Sequence, residues 1–211
     1  MMLAAASGEG VGGMQRTFRE LSRTFHFTPL QISNWAGQYP EILYDGEFDE
    51  MVMRFSPEAD DPMYRCGCYN TVAWAHRLAG RHEQATEAWA LLVRDESQAL
   101  KNATSEGNAD AEATLRGQYA RDLARAGRHD EARRHLERAM SIDVSAAGLP
   151  VAQRRWAQAY AELGDAAGAV AQLEPLLEAN SLISVHTLRT RAAWMLIRSD
   201  PAFQAMLERH G

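Results

Sequence analysis

The sequence predicts an all-α fold, a solenoid of about four helical hairpins followed by a closing C-terminal helix. The first observation is a short motif, Ala-Gly-Arg-His, that begins at Ala79 and again at Ala126. The second is the spacing of the glycines in this motif and in its two looser copies, which lie 34, 47 and 37 residues apart: Gly46, Gly80, Gly127 and Gly164. A period of about 34 residues is typical of stacked helical hairpins.

Each copy gives a physical reason for a helix, a turn and a second helix. Apolar residues at helical spacing lead to the glycine, which can adopt the left-handed conformation that ends a helix. The acidic residues that follow it suit the positive end of the next helix: Glu83, Asp130 and Asp165. In the last three copies an alanine stands five residues past the glycine, where two helices can cross closely: Ala85, Ala132 and Ala169.

This pattern resembles the tetratricopeptide repeat family. The family's small position in the first helix matches Ala73, Ala120 and Ala157, and its large apolar position in the second helix matches Trp89, Leu136 and Leu173. The resemblance implies a right-handed superhelix whose first helices line a concave groove for a peptide. The copy around Gly46 fits poorly, because Met51 replaces the small residue and Pro40 interrupts its first helix.

The N-terminal part precedes the clear repeats. We interpret residues 1–13, rich in Gly and Ala, as a flexible leader and residues 14–62 as N-terminal helices with the degenerate repeat. Thr28 and Pro29 indicate a helix start, with Thr28 as the cap. Residues 63–211 then form the repeats and the C-terminal capping helix.

The clear repeats follow in order. Repeat two begins near Met63, and its second helix is expected to run past Leu100, because the 47-residue gap exceeds one period. Residues 105–110 are the break between two lengthened helices. Repeat three spans residues 111–140, with core candidates Leu115, Tyr119, Leu123, Leu136 and Met140. Repeat four spans residues 151–178, starts at Pro150 and is expected to kink at Pro175.

The C-terminal tail resembles the end of tetratricopeptide regions in bacterial regulators and kinases. The matching residues are His186, Leu188, Trp194, Arg198, Asp200, Pro201, Phe203 and Leu207. Ser199 or Asp200 is expected to cap the last helix, with Pro201 in its first turn. In such relatives a DNA-binding or kinase domain precedes the repeats, and none fits into the first 30 residues. We therefore expect a repeat module alone, or the remnant of a longer regulator.

Composition restricts the classes of partner. The chain is 46% hydrophobic and 24% charged, with a net charge of −6. An acidic balance argues against broad affinity for nucleic acids or anionic membranes. No apolar run approaches the roughly 18 residues of a membrane span. With two cysteines and no recognisable secretion signal, a reducing cytoplasm is the expected location.

The sequence offers no catalytic set. We find no nucleophile elbow, phosphate-binding glycine loop or His-Glu-x-x-His motif, and we predict a protein that is not an enzyme and needs no metal or cofactor. His82 and His129 are expected to pack at the turns, and His135 to be solvated among charges. The spacing of Cys66 and Cys68 suits a structural role, with a redox or metal role as the alternative.

Placing the chain on the family's frame predicts the partner-binding residues of the groove. They are Asn70, Trp74, Arg77, Arg121, Arg125, Arg155 and Gln158, with Glu162 beside them. Arg121, Arg125 and Arg155 can form a local basic patch for a carboxylate or an acidic peptide. In the alternative interpretation these arginines pair with Asp122, Glu131 or Glu162 on a solvated surface.

The function expected from these observations is a non-catalytic scaffold that binds a peptide or partner protein. A second possibility is a regulatory or sensory module that acts with a separate DNA-binding or kinase effector. A third is a small-molecule-binding or hydrolytic protein that uses the region of Cys66 and Cys68. Weak self-association through the irregular first repeat is also compatible with the sequence.

Overall fold

The structure, a computed structural model, describes residues 62–179 and 183–211, with side chains from Cys68 onward. Regular structure in these residues is helical throughout, with no strand, which confirms the all-α fold there. The helices are α1 Pro62–Leu78, α2 His82–Ser105, α3 Ala109–Arg125, α4 His129–Met140, α5 Leu149–Glu162, α6 Ala166–Glu178, α7 Val185–Thr190 and α8 Pro201–Arg209, with a 3-10 turn at Ala192–Trp194. The predicted leader, the N-terminal helices, the copy around Gly46 and the Cys66 side chain lie outside the described residues.

Three glycines mark equivalent corners, as the sequence predicts. Gly80, Gly127 and Gly164 have φ angles of 76°, 75° and 73°. At each corner the amide after the glycine donates to the carbonyl five residues earlier, over 2.8–2.9 Å: Arg81 to His76, Arg128 to Leu123, and Asp165 to Tyr160. This bond and the left-handed glycine together end a helix in the Schellman manner. The motif therefore sets the three helix–helix turns.

The long gap between the first two of these corners, Gly80 and Gly127, is filled by helix. Helix α2 has 24 residues and ends at Ser105, and α3 begins at Ala109. Gly107, with a φ of 67°, makes the break, and the Asn108 side chain accepts a hydrogen bond from the Ala111 amide at 3.1 Å. The prediction of two lengthened helices that meet within residues 105–110 is confirmed.

The chain divides into two compact units between Leu92 and Val93, within α2. In the first unit, the described residues are α1 and the first half of α2. Trp74 and Trp89 join these two helices, with ring centroids 5.7 Å apart and planes at 89°. Ala73 and Ala85 are buried as the sequence predicts. The predicted boundary near residue 62 falls at the edge of the described residues and stays a prediction.

In the second unit, α3 packs against both α4 and α5, and α5 packs against α6. The predicted small residues at these crossings are all fully buried: Ala120, Ala132, Ala157 and Ala169. Helix α5 approaches α3 closely at Gly117, where an added Cβ would lie 2.7 Å from Cδ1 of Trp156. Small side chains therefore let the helices approach one another, because any larger one would overlap a neighbour.

The C-terminal segment covers the far side of α5 and α6. Asp200 caps α8 by accepting from the Ala202 amide at 2.8 Å, and Pro201 occupies the first turn. Four of the predicted tail residues are buried in the cluster that includes Ala157 and Leu173: Leu188, Trp194, Phe203 and Leu207. The tail contributes its apolar residues to the core of this unit.

Two details of packing could not be taken from the helical pattern. Met140, a predicted core residue, is 39% exposed because α4 ends there, although its sulfur accepts a hydrogen bond from the Tyr160 hydroxyl at 3.3 Å. Pro175 lies inside α6, which continues to Glu178. The kink predicted there stays a prediction.

Replacing Gly127 with Ala should lower the free energy of unfolding by about 1 kcal/mol, because a Cβ disfavours the left-handed conformation. The added methyl group causes no steric clash, since nothing lies within 4 Å of it, so the backbone conformation accounts for the loss of stability. Asparagine tolerates this conformation better than alanine, so Gly127→Asn should cost less. Urea unfolding followed by circular dichroism measures both, and an alanine variant as stable as wild type would contradict the assignment of this corner.

Candidate functional site

The predicted partner-binding residues fall into the two units. Asn70, Trp74 and Arg77 lie on α1 in the first unit, and the remaining residues lie on α3 and α5 in the second: Arg121, Arg125, Arg155, Gln158 and Glu162. Within each unit the structure brings its residues into contact. Each unit therefore holds a cluster of its own.

In the first unit the cluster is an aromatic core capped by a cation. The guanidinium carbon of Arg77 lies 5.2 Å from the ring centroid of Trp74 and 5.3 Å from that of Trp89. The Trp89 indole donates to the Asn70 side-chain oxygen at 3.4 Å. Trp74 is only 1% exposed. The structure thus places Trp74 in the core rather than on a surface, while a binding role for Asn70 and Arg77 stays a prediction.

In the second unit a buried ion network joins α3 to α5. Arg121 binds Asp122 with two hydrogen bonds, Nε to Oδ1 at 2.8 Å and Nη2 to Oδ2 at 2.6 Å. Arg125 donates to Asp122 Oδ1 at 3.0 Å and to Glu162 Oε1 at 2.8 Å. The pairing interpretation is therefore confirmed for Arg121 and Arg125. These pairs are buried rather than solvated, with the Asp122 side chain fully inaccessible.

The charges of this network hold its central carboxylate ionised. Burial by itself raises the pKa of Asp122, but the positive charges of Arg121 and Arg125 outweigh it and lower that pKa below its usual value. A buried carboxylate without such partners would be strongly unfavourable. Asp122 therefore depends on both arginines, and both arginines depend on Asp122.

A second acid, Glu96 of α2, lies beside this network. Its carboxyl oxygen accepts from the Gln118 amide at 2.8 Å. Burial, followed by the negative charge of Asp122, raises the pKa of Glu96 to about 8. Glu96 is thus largely protonated, and therefore uncharged, at neutral pH. The negative charges of the network are then those of Asp122 and Glu162, and they balance the positive charges of Arg121 and Arg125.

The positive charge of Arg155 is not compensated by Asp122 or Glu162. Among the described residues no carboxylate forms an ion pair with it. Its Nη1 donates to Gln158 Oε1 at 3.4 Å, and Arg121 Nη1 reaches the same oxygen at 3.5 Å. The Arg155 Nε is buried and has no hydrogen-bond partner in the described structure. Burial, with the charges of Arg121 and Arg154, lowers the pKa of Arg155 to about 10.

Sequence reasoning missed Glu96 and Gln118, because neither belongs to the repeat frame. A signal for part of the network was nevertheless present. Gln118, Arg121, Asp122 and Arg125 stand at positions i, i+3, i+4 and i+7, which share one face of a helix. A polar stripe of this kind on a helix that must pack on both sides indicates a buried network.

The other candidates have plainer surroundings. His82 and His129 are the first residues of α2 and α4 and are exposed, so the prediction that they pack at the turns is wrong. The Cys68 side chain is buried. The side chains of residues 68–179 and 183–211 include no group of His, Cys, Asp or Glu placed to hold a metal ion. Over the same residues, no helix combines the length and the apolar character that crossing a bilayer requires.

Comparison with known proteins yields no match among family models, curated proteins or solved structures. The site is therefore interpreted from its own chemistry.

Replacing Asp122 with Asn should lower the free energy of unfolding by about 3 kcal/mol or more, because two buried arginines lose their counter-charge. The matched control is Asp130→Asn, whose side chain is 89% exposed in its pair with Arg133. An exposed pair contributes less than about 1 kcal/mol. Equal losses in the two variants, measured by urea unfolding, would show that the network does not hold the unit together.

The unfolding free energy should fall between about pH 5 and about pH 8, because folded Glu96 keeps a proton that unfolded Glu96 releases. Glu96→Gln removes this titration and can retain the bond from Gln118. The variant should therefore gain stability relative to wild type as the pH rises. His135, whose pKa is lowered by burial and by Arg116, contributes an opposite slope common to both proteins.

The control for this experiment is Glu137→Gln, at an exposed glutamate of α4. Its stability relative to wild type should not change across the same range. A Glu96→Gln curve parallel to that of wild type would contradict the raised pKa.

Proposed function

We propose that the chain is a tetratricopeptide-like interaction module that binds an acidic segment of a partner protein against the face shared by α3 and α5. In this proposal α3 and α5 are the first helices of successive hairpins, and α4 and α6 are the second. The module acts as a scaffold in the cytoplasm and requires neither catalysis nor a cofactor.

The packing order supports the repeat assignment. A first helix in such a repeat contacts both its own partner and the first helix of the next hairpin, as α3 contacts α4 and α5. The three corners share one geometry, and the alanines at the predicted crossings are buried. A right-handed superhelix follows if the remaining hairpins stack in the same way.

The single observation that carries the choice of ligand is Arg155. Its half-buried guanidinium lacks a carboxylate partner in the described residues, and its buried Nε lacks a hydrogen-bond acceptor. A carboxylate from outside would supply the missing counter-charge to the accessible part of this guanidinium. Hydrogen bonds to charged groups contribute about 1.5–3 kcal/mol, which is enough to prefer an acidic side chain over a neutral one.

The other two arginines of the predicted patch have a different role. Arg121 and Arg125 are already engaged with Asp122 and Glu162, so they orient the site rather than offer free charge. Arg121 also shares the Gln158 oxygen with Arg155, which helps to fix the position of the side chain that binds. A change at Arg121 would break a buried ion pair, whereas Arg155 forms no ion pair in the described residues, so a change there separates binding from folding better once circular dichroism shows that the variant is folded.

Selection of peptides from a random display library by the full chain should enrich Asp and Glu. Arg155→Glu should abolish this enrichment and weaken a selected acidic peptide at least about tenfold, because the site then repels its ligand. The matched control is Arg138→Glu, an exposed charge reversal on α4 that should leave binding unchanged. Fluorescence anisotropy of the labelled peptide measures these affinities.

Two outcomes would contradict the proposal. One is a set of selected peptides without acidic preference. The other is an acidic peptide that binds Arg155→Glu as tightly as wild type.

The C-terminal tail supports a second candidate, a regulatory or sensory module that acts with a separate DNA-binding or kinase effector. Its resemblance to the tails of bacterial regulators rests on residues that pack in the core of the second unit, among them Trp194 and Phe203, whose ring centroids are 6.3 Å apart. Genes for such effectors beside the gene for this chain would favour this candidate.

A further inference from the structure

A cavity of about 440 Å³ lies between the C-terminal half of α2 and the helices α3 and α4. It is lined by Ser97, Leu100, Lys101, Thr104, Ser105, Arg116, Tyr119 and His135. None of these residues belongs to the ion network around Asp122 or to the Arg155 site. Pockets for small organic ligands have volumes of about 300–1,000 Å³, so this cavity is large enough for one.

The charged side chains that line the cavity in the described part of the chain belong to basic residues. Lys101, Arg116 and His135 line the cavity, and among the described residues no acidic one does. Arg116 is held in place by Glu112, with Nε 2.7 Å from Oε1. Lys101 is the only lysine in the sequence, and all the remaining residues counted as Lys or Arg are arginines. In an acidic chain with a net charge of −6, this is a local site for an anion.

Leu100 and Tyr119 give part of the lining an apolar and aromatic character. Leu100 is 7% exposed, and the Tyr119 ring contacts the His135 ring edge to face at a centroid distance of 4.8 Å. His135 was expected to be solvated, but it is half-buried here, and its Nδ1 is inaccessible and has no hydrogen-bond partner in the described structure. A buried polar atom of this kind usually has a partner in a complete site.

The serine and threonine hydroxyls of the lining already donate their hydrogens within the protein and do not offer them to an anionic ligand. Ser97, Thr104 and Ser105 donate their hydrogens to carbonyl oxygens of α2, at 2.7, 3.0 and 2.7 Å. Their hydrogens are therefore engaged within the helix. Lys101 is therefore the donor best placed to select the charge of a ligand, and Arg116, whose charge is already paired with Glu112, adds further N–H donors beside it.

We propose that this cavity binds a small organic anion with a flat apolar body. The body packs against Leu100 and Tyr119, and the carboxylate or other anionic group lies between Lys101 and Arg116. The site is independent of peptide binding at Arg155, because the two share no residue. It gives the scaffold a second ligand of a different chemical class.

The test uses three naphthalene derivatives of the same shape and different charge: naphthoate, neutral naphthamide and naphthylmethylammonium. Each is titrated into the full chain to about 5 mM, since ligands of this size bind at millimolar concentration or tighter. Calorimetry should show naphthoate binding at least about tenfold more tightly than naphthamide, and no binding of the cation.

Lys101→Ala should weaken naphthoate at least about fivefold, because it removes the cation that no carboxylate pairs with in the described residues. Arg116→Gln should weaken it less, because the Arg116 charge is already paired with Glu112. The matched control is Arg94→Ala, which removes an exposed charge from the same helix α2 outside the cavity. It should leave naphthoate affinity unchanged. Circular dichroism confirms that each variant is folded.

The single lysine provides a second readout that does not depend on a variant. Bound naphthoate should slow acetylation of Lys101 by an amine-reactive reagent, measured by mass spectrometry against a lysine-containing reference peptide in the same tube. Naphthoate that does not bind, binds no better than naphthamide, or leaves acetylation of Lys101 unchanged would overturn the proposal.

Discussion

The second unit depends on the contact between Asp122 and its two arginines. A carboxylate that is fully removed from water must be compensated, and Arg121 and Arg125 do this from the same helix. Arg125 then reaches Glu162 on α5, so that the compensation of one charge fixes the position of a second helix. Arg121 is in turn connected to Arg155, because both side chains donate to the side-chain oxygen of Gln158. Folding and the candidate site thus rest on one set of charges.

The backbone features of the fold could be predicted from the sequence because their causes are local. The left-handed φ of Gly127 follows from a missing Cβ, and the burial of Ala120 and Ala157 follows from the close approach of helices that only small residues allow. The length of α2 could be predicted as well, because an excess of residues rich in helix formers has to be accommodated between two corners.

The candidate site was predictable only as a set of residues. Sequence placed Arg121, Arg125 and Arg155 on one face but could not say which would be neutralised, since that depends on how closely α3 and α5 approach. Trp74 and His135 show the same limit, since both are more buried than the sequence predicted. Burial of Trp74 follows from its contact with Trp89, and half-burial of His135 follows from Tyr119, and both are tertiary contacts that helical periodicity does not specify.

Gly117 connects the spacing of the helices to the chemistry of the site. A Cβ at this position would lie 2.7 Å from the Trp156 ring and 3.1 Å from Cβ of Arg155. The base of the Arg155 side chain therefore rests directly on the bare backbone of α3. The close approach of Arg155 to the backbone of α3 is possible because Gly117 has no side chain. A side chain at position 117 would therefore displace Arg155 together with Trp156, so the position of the candidate cation depends on an uncharged residue that touches no ligand.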